Sequence, residues 1–310
     1  MTFSFRPALR SHAKPLIGLY AESGAGKTLS ALYLARGFVG AKGLIGMIET
    51  EAGRGEAYAS MIPGGYQVLP MRDDFSSENY GKAITAAEQA KLDALIIDSA
   101  SHEWEATGGV LDMAAKNQAA GKKGVLVWQQ PKMLHSRHFM LRLLGTSIPL
   151  VIVCMRAKYP MREIKKPNGE KEWVRSDRLE PKQADDILFE MATHGWIDHG
   201  HKLHVTRYQL PELREIIRDG EPISIETGAR LALWSTGETP KPTEAAPEQP
   251  DQTAADPFLD EEIKARDIAE LGTERLKQHW EFLDSATKHA LAPIKESLKK
   301  IAAEADKEML

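Results

Sequence analysis

The sequence is poor in cysteine: Cys154 is the only one among 310 residues, so no disulfide can form within the chain. Disulfide-stapled secreted domains are therefore excluded, and this scarcity is typical of proteins in a reducing compartment. Cys154 lies inside the apolar run "PLVIVCM". That context predicts a small buried side chain in a protein core.

Long apolar segments are also missing. No run reaches the roughly 18 consecutive apolar residues of a transmembrane helix, and "MTFSFRPALR" at the N-terminus contains no apolar stretch of signal-peptide length. We therefore expect a cytoplasmic protein with no membrane partner (nuclear if its source is eukaryotic).

The sequence also lacks a strong excess of charge of one sign. The chain has 40 basic and 44 acidic residues, a net charge of −4, which implies no class of partner by itself. A nucleic-acid-binding surface would have to come from a local excess of positive charge. With 42% hydrophobic and 27% charged residues, the composition is that of a globular protein long enough to bury a large core.

Up to about residue 235, short apolar segments alternate with segments of helical periodicity. This alternation predicts an α/β domain with a largely parallel central sheet. We expect strands at 15–21, 43–49, 93–98, 148–155 and 201–210, helices at 27–38, 76–91 and 131–144 (the last beginning at Pro131), and a hairpin at 161–174 around Asn168-Gly169.

The composition changes after the predicted domain, which we assign to residues 1–235. Residues 236–257 contain five prolines and no aromatic residue, a composition that predicts a disordered linker. Helical periodicity returns in 258–310, where we expect a small all-α module of three helices. Within it, the acidic segment "ADPFLDEE" and the module itself are candidate contacts for a protein partner.

The segment "AESGAGKT" at residues 21–28 stands between the first predicted strand and the first predicted helix. It fits the Walker A pattern except that Ala21 occupies the first glycine position. The two glycines let backbone amides approach phosphate, Lys27 would reach the β- and γ-phosphates, and Thr28 would ligate Mg²⁺. We therefore predict an ATP and Mg²⁺ site formed by Ser23, Gly24, Ala25, Gly26, Lys27, Thr28 and Leu29.

Acidic residues follow two other predicted strands. The run "ALIID" ends at Asp98, a second Mg²⁺ ligand by the Walker B pattern, and Ser99 follows it instead of a second acid. Water must therefore be oriented from elsewhere, or hydrolysis is slow. In "MIETEAGR", either Glu49 or Glu51 could face the γ-phosphate, and we favour Glu51 as the catalytic carboxylate beside Lys27.

These motifs together resemble the RecA-like recombinase ATPases, through "IETE" and "LIIDSAS". The resemblance spans residues 13–236. Within this group, the sequence is most similar to small phage-encoded RecA-like ATPases that are associated with single-strand annealing and recombination. This resemblance implies a RecA-like P-loop core, DNA-stimulated ATP hydrolysis with Glu51 activating water, and a ring or filament of subunits on single-stranded DNA with ATP between them. The host cytoplasm would be the location of such a protein.

The resemblance implies that the segment after the fourth strand contacts DNA. From Arg156 to Lys182 there are nine basic and five acidic residues, with aromatic residues interleaved, a pattern suited to a phosphate backbone and stacked bases. A solvated hairpin with its tryptophan packed on its own domain is the alternative. Candidate DNA contacts are Arg156, Lys158, Arg162, Lys165, Lys166, Lys171, Trp173 and Arg175, and Arg207 is a candidate for a role in the neighbouring subunit's site.

Two other functions remain open from the sequence. A P-loop enzyme outside the recombinases, such as a nucleotide kinase or a packaging motor, would use the same phosphate loop. A scaffold that ATP stabilises with little turnover would fit the serine that follows Asp98.

Overall fold

The computed structural model divides into two compact units, residues 1–241 and 242–310. It describes residues 5, 8, 14–165, 170–176 and 178–237 of the first unit, and residues 265, 268–269, 273–283, 287–288, 291 and 294–308 of the second. Beyond Gly237, the predicted linker lies outside the described residues, so its disorder stays a prediction.

The first unit alternates strands and helices along the chain. In chain order these are β1 (Leu16–Ala21), α1 (Lys27–Val39), β2 (Ile45–Glu49), β3 (Gln67–Pro70), α2 (Ser77–Gln89), β4 (Ala94–Asp98), α3 (Ser101–Glu105), α4 (Val110–Ala119), α5 (Val125–Leu134), α6 (Leu141–Gly145), β5 (Leu150–Lys158), β6 (Met161–Lys165), β7 (Lys171–Arg175), β8 (Glu180–Pro181), α7 (Asp186–Phe189), β9 (Thr193–Ile197), β10 (Lys202–Tyr208), β11 (Glu221–Pro222) and α8 (Ile225–Thr236). Short 3-10 helices span Arg54–Met61 and Pro211–Glu215, and a π-helical segment, His135–Met140, joins α5 to α6.

The main sheet has the strand order β11-β10-β9-β1-β5-β4-β2-β3, and β8 pairs with the end of β5. Every pair from β9 to β3 is parallel, and only β10, β11 and β8 join antiparallel. Strand β5 thus separates β1, which precedes the glycine-rich loop, from β4, which ends at Asp98. The predicted α/β class with a largely parallel central sheet and C-terminal helices is confirmed. That the core is of the RecA-like P-loop type stays a prediction.

Both faces of the sheet are covered, which explains the unbroken apolar runs of β1, β2 and β4. On one face the strands pack against α1 and α8 through Leu32, Leu34 and Leu231. On the other face they pack against α2 and the 135–145 segment through Tyr80 and Phe139. Parallel strands buried in this way place their carboxyl ends, and the loops that follow them, along one edge.

The predicted helix start at Pro131 is wrong, because α5 begins at Val125 and Pro131 lies inside it. Proline has no N–H, so it cannot satisfy the carbonyl of Val127, four residues earlier. The side chain of Asn117 replaces that donor, with Nδ2 at 2.9 Å from the Val127 oxygen. A partner on α4 therefore makes the proline tolerable in mid-helix, which the local sequence could not indicate.

The predicted hairpin is confirmed as the pair β6–β7, in which Met161 pairs with Arg175 and Lys165 with Lys171. Its predicted turn, Asn168-Gly169, lies outside the described residues. In the second unit, α9 (Thr273–Phe282) and α10 (Lys295–Glu308) pack around Leu276 and Leu298. The first of the three predicted tail helices falls mostly on residues outside the description. Among described residues, no helix is both long and apolar enough to cross a membrane.

Candidate nucleotide-binding site

The glycine-rich loop connects β1 to α1 along the sheet edge where the parallel strands end. Gly24 and Gly26 have φ of 87° and 88°, a conformation that strains other residues. A Cβ at Gly24 would meet nothing within 4 Å, so an anion can approach the backbone there. At Gly26 a Cβ would meet His201 Nδ1 at 2.6 Å, and this ring bonds the carbonyl of Ala25 at 3.1 Å. His201, from the β9–β10 turn, braces the loop and was not predicted.

The loop residues predicted to bind phosphate differ in exposure. Ser23 and Gly24 are exposed, Ala25 is buried, and Gly26, Lys27, Thr28 and Leu29 are half-buried. Lys27 and Thr28 open α1, so the helix N-terminus and its free amides face the same edge.

Lys27, Thr28 and Asp98 converge because β1, β5 and β4 are neighbours. The Thr28 hydroxyl donates to Asp98 Oδ2 at 2.6 Å, and Lys27 Nζ lies 3.6 Å from Asp98 Oδ1. Burial acts to lower the pKa of Lys27, but the charge of Asp98, its contact with the ammonium and the charge of Glu51 act together with further negative charge to raise the pKa overall. Lys27 therefore stays an ammonium at neutral pH, as a phosphate-binding group must.

These side chains also fit a magnesium ion. Asp98 is 3% exposed, and its buried Oδ1 accepts no hydrogen bond from the described part of the chain. That carboxylate and the Thr28 hydroxyl form an oxygen donor set of the kind that Mg²⁺ prefers beside phosphates. When bound, the ion would neutralise charge on the β- and γ-phosphates.

The two glutamates after β2 have different environments. Glu49 is fully buried, and its carboxylate accepts bonds from the backbone amides of Glu51 and Gly53 at 2.7 and 3.0 Å. It also pairs with Arg72 at 2.6 Å. With both oxygens occupied, Glu49 holds the loop that presents Glu51. Of these two glutamates, Glu51 has the accessible carboxylate, with its side chain 21% exposed, and its catalytic role stays a prediction.

His102, on α3, is a neighbour of Glu51 that the sequence did not single out. Its Nε2 lies 4.0 Å from Glu51 Oε1, and its Nδ1 bonds the Thr50 hydroxyl at 2.7 Å. That hydroxyl also accepts from the Ser99 amide at 2.7 Å. Burial lowers the pKa of His102. The negative charge of Glu51 acts to raise this pKa and the positive charge of Arg156 to lower it, and the pKa is lowered overall. A neutral imidazole with Nε2–H toward Glu51 satisfies these contacts.

The strand that leads into the hairpin, β5, passes the phosphate loop, since Arg156 pairs in register with Ala21. Carboxylates offset several of the predicted DNA-contacting cations. The Arg156 guanidinium lies 3.5 Å from the Glu105 carboxylate, and the backbone N–H of Arg156 donates to Ser101 Oγ. The other pairs are Arg162 with Glu180 at 2.5 Å and Lys171 with Glu163 at 2.8 Å.

The aromatic residues of the hairpin differ in accessibility. Trp173 is 63% exposed, so the alternative in which it packs on its own domain is wrong. Arg175 covers the ring of Tyr159 at 4.4 Å. Lys158 is exposed; Lys165 belongs to β6, and Lys166 lies outside the described residues.

Arg207 lies away from this cluster. It belongs to β10, which β9 separates from β1, and its guanidinium donates to the Phe189 carbonyl at 3.1 Å. Its predicted role in a neighbouring subunit's site stays a prediction.

No protein-family model matches the chain, and no curated protein matches it. Among solved structures, it is similar to a prototypical ATPase from the type III secretion system of pathogenic bacteria, with 16% identity and a TM-score of 0.38. The match covers 60% of this chain and 55% of that ATPase, so the chain spans little more than half the length of that protein. The site geometry above stands on this chain's own residues.

Proposed function

We propose that the chain hydrolyses ATP with Mg²⁺ and couples this cycle to single-stranded DNA, in homologous recombination or single-strand annealing of phage origin. The observation that carries the proposal is the register of β1 with β5. It places Ala21, where the phosphate loop starts, beside Arg156 of β5, the strand that leads into the hairpin at Met161. A ligand on the hairpin and a nucleotide on the loop would therefore contact adjacent strand ends.

The hydrolytic part rests on four side chains. Lys27 would hold the phosphates, Thr28 and Asp98 the magnesium ion, and Glu51 would orient the attacking water and accept its proton. Glu51 suits this role because Glu49 fixes its backbone while its own carboxylate stays accessible.

The DNA-binding part rests on the hairpin. The exposed indole of Trp173 suits stacking with a base, and the segment 156–182 keeps a local excess of basic residues. Because Arg162 and Lys171 are paired with acids, DNA would have to displace these pairs or use other cations of the segment, such as the exposed Lys158. We expect three or four phosphate contacts, which correspond to a slope of log affinity against log salt of about −2 to −3.

The resemblance to RecA-like ATPases further implies a homo-oligomer with ATP between subunits. Strand-exchange filaments and annealing rings would both fit this chain.

ATP turnover with and without single-stranded DNA, in the wild type and in Glu51→Gln, tests the function. We expect DNA to stimulate turnover and Glu51→Gln to reduce it by at least about a hundredfold, within the range for loss of a general base. Glu56→Gln is the matched control and should behave as the wild type, because Glu56 is an exposed acid of the 3-10 helix that follows Glu51.

Other results would favour other functions. Turnover that DNA does not change would favour a kinase or a motor. Tight ATP binding without turnover would favour the ATP-stabilised scaffold, which Ser99 after Asp98 already suits.

A further inference from the structure

A cavity of about 550 Å³ lies in the first unit, close to the base of the hairpin. Its volume is within the range of small-molecule sites. Three segments form it: α3, α5 with the residue that follows it, and the chain between β8 and α7. The side chains that matter for its chemistry are Trp104, Trp128, Lys132, His135, Gln183 and Asp186.

A buried polar pair lies beneath this cavity. The His135 side chain is 3% exposed, and its Nδ1 is within 3.0 and 3.1 Å of the two carboxylate oxygens of Glu103, which is fully buried. Glu103 is held in turn by the Ser77 hydroxyl and by Gln183 Nε2 at 3.3 Å. Such a buried carboxylate is costly unless it is fully paired. The arrangement fixes the imidazole rigidly.

The other nitrogen of this imidazole has no strong contact. His135 Nε2 is buried without a hydrogen-bond partner among the described residues, and Asp186 Oδ1 lies 3.6 Å from it. Burial acts to lower the pKa of His135, but the Glu103 and Asp186 carboxylates raise it overall. Unpartnered polar atoms at this depth are uncommon and mark candidate ligand contacts.

Two indoles form the walls. Trp104 is half-buried and stands edge-on to His135, with ring centroids 5.7 Å apart at 74°. Trp128 is 38% exposed although it is large and apolar. Aromatic faces left accessible in a cavity favour a flat aromatic ligand, because every nucleobase offers a π-face for stacking.

The rim adds polar groups of both signs. The exposed Lys132 can pair with a phosphate, and the Asp186 carboxylate, 64% exposed, can accept a bond from an exocyclic amino group such as that of cytosine. A purely apolar ligand would leave both groups unused. A base attached to a phosphate uses both.

Helix α3 connects the cavity to the two segments that flank the hairpin. Glu105, next to Trp104, pairs with Arg156 of β5 at 3.5 Å and with Lys182 at 3.3 Å, and Lys182 precedes Gln183 in the cavity wall. Cations at both ends of the hairpin therefore lie next to the helix that carries Trp104.

We propose that this cavity receives one nucleobase, stacked against Trp104 and Trp128 with its phosphate near Lys132. The inference rests on the proposed function for the source of the base, a single strand of DNA on the hairpin. A free nucleotide offers the same chemistry, so the test separates the two sources.

The test measures binding of the full chain to a short labelled single-stranded oligonucleotide and to the same oligonucleotide with abasic sites. A second arm follows tryptophan fluorescence during titration with nucleoside monophosphates. The variants are Trp128→Ala, Trp128→Phe and Trp104→Phe, with Trp196→Phe as a control outside the cavity. Thermal melting verifies that each variant is folded.

We expect the wild type to prefer the normal oligonucleotide, and Trp128→Ala to lose about tenfold in affinity for it, as for loss of a stacking residue. The abasic oligonucleotide should bind both proteins equally. Trp128→Phe should restore most of the affinity because it keeps an aromatic face.

The remaining outcomes separate the two proposals. In one outcome, oligonucleotides fail to bind, but nucleoside monophosphates quench the tryptophan fluorescence of the wild type and not that of Trp128→Ala. The cavity proposal then stands with a free nucleotide as the ligand, and the proposed DNA function fails. If wild type and Trp128→Ala bind the normal and abasic strands alike, the cavity proposal fails and the DNA function stands. If nothing binds, both fail.

Discussion

At the scale of single residues, the two glutamates after β2 show how burial assigns roles to identical side chains. Glu49 ends the strand and is surrounded by backbone amides and Arg72, whereas Glu51, two residues later, is held in the open. A carboxylate that accepts backbone bonds stabilises the fold and is unavailable as a base. The division between structural and chemical acid therefore follows from which amides each one meets.

Removing the charge of Glu49 should destabilise the protein. In Glu49→Gln the amide can accept from one backbone N–H, but its own NH₂ then faces the donors of Gly53 and Arg72. We expect a loss of about 1–3 kcal/mol in the free energy of unfolding, the cost of an unsatisfied buried group, measured by urea denaturation. Combined with Arg72→Ala, the effects should be non-additive; simple additivity would contradict the assigned contact.

His102 should affect turnover without affecting ATP binding. Its ring is bonded to Thr50 and its Nε2 lies 4.0 Å from Glu51 Oε1, so His102→Ala should remove a neighbour that restricts Glu51 and allow unproductive rotamers. We expect kcat to fall by about tenfold, at the low end of what misplacing a catalytic group costs, with an unchanged KM for ATP. His138→Ala, which removes a half-exposed histidine near Glu78, is the control. An equal fall in both variants would argue against positioning.

At the scale of elements, the contact between α1 and α8 depends on two glycines. A Cβ at Gly37 would lie 1.8 Å from the Ile225 carbonyl oxygen, and one at Gly228 would lie 2.1 Å from that of Leu34. The helices touch backbone to backbone, which only glycine allows. Because α1 begins with Lys27 and Thr28, this packing also fixes the helix that carries the phosphate site.

Gly228→Ala should therefore destabilise the fold although alanine favours helices. The added methyl group must push α8 away from α1, and overpacking of this kind costs about 1–3 kcal/mol. Gly145→Ala, at the end of α6 where a Cβ meets nothing within 4 Å, is the matched control and should be neutral or slightly stabilising. Thermal and urea unfolding of the two variants measures the difference, and equal stability would disprove the close contact.

The sequence predicted elements where the signal is local. The apolar runs, the helical spacing and the glycine-rich loop each lie within one short segment, and the corresponding strands and helices are present. Prediction from the sequence failed where a residue far away in the chain determines the local structure. Pro131 is tolerated because Asn117 bonds the Val127 carbonyl, and strand β9, "THGWI", was not predicted although it pairs with β1.

The same limit applies to the candidate site. Lys27, Thr28 and Asp98 were found from motif spacing, and their convergence needs only parallel strands. His102, His201 and the Glu103–His135 pair were missed, since their contacts join residues that are far apart in the sequence. Nothing in the periodicity of α3 distinguishes His102 from a solvated histidine.

At the scale of the whole molecule, the division into two units makes the nucleotide site separable from the tail. Lys27, Thr28, Asp98 and Glu51 all belong to the unit that spans residues 1–241, while 242–310 form a compact unit with a core of their own around Leu276 and Leu298. A chain ending at residue 241 should therefore keep the wild-type KM for ATP and its basal turnover within about twofold, as for independent sites. Steady-state kinetics of the truncated and full chains test this, and circular dichroism verifies that the truncated chain is folded. A large loss of turnover in a folded truncated chain would show that the second unit contributes to catalysis, and would place part of the active site outside the residues assigned here.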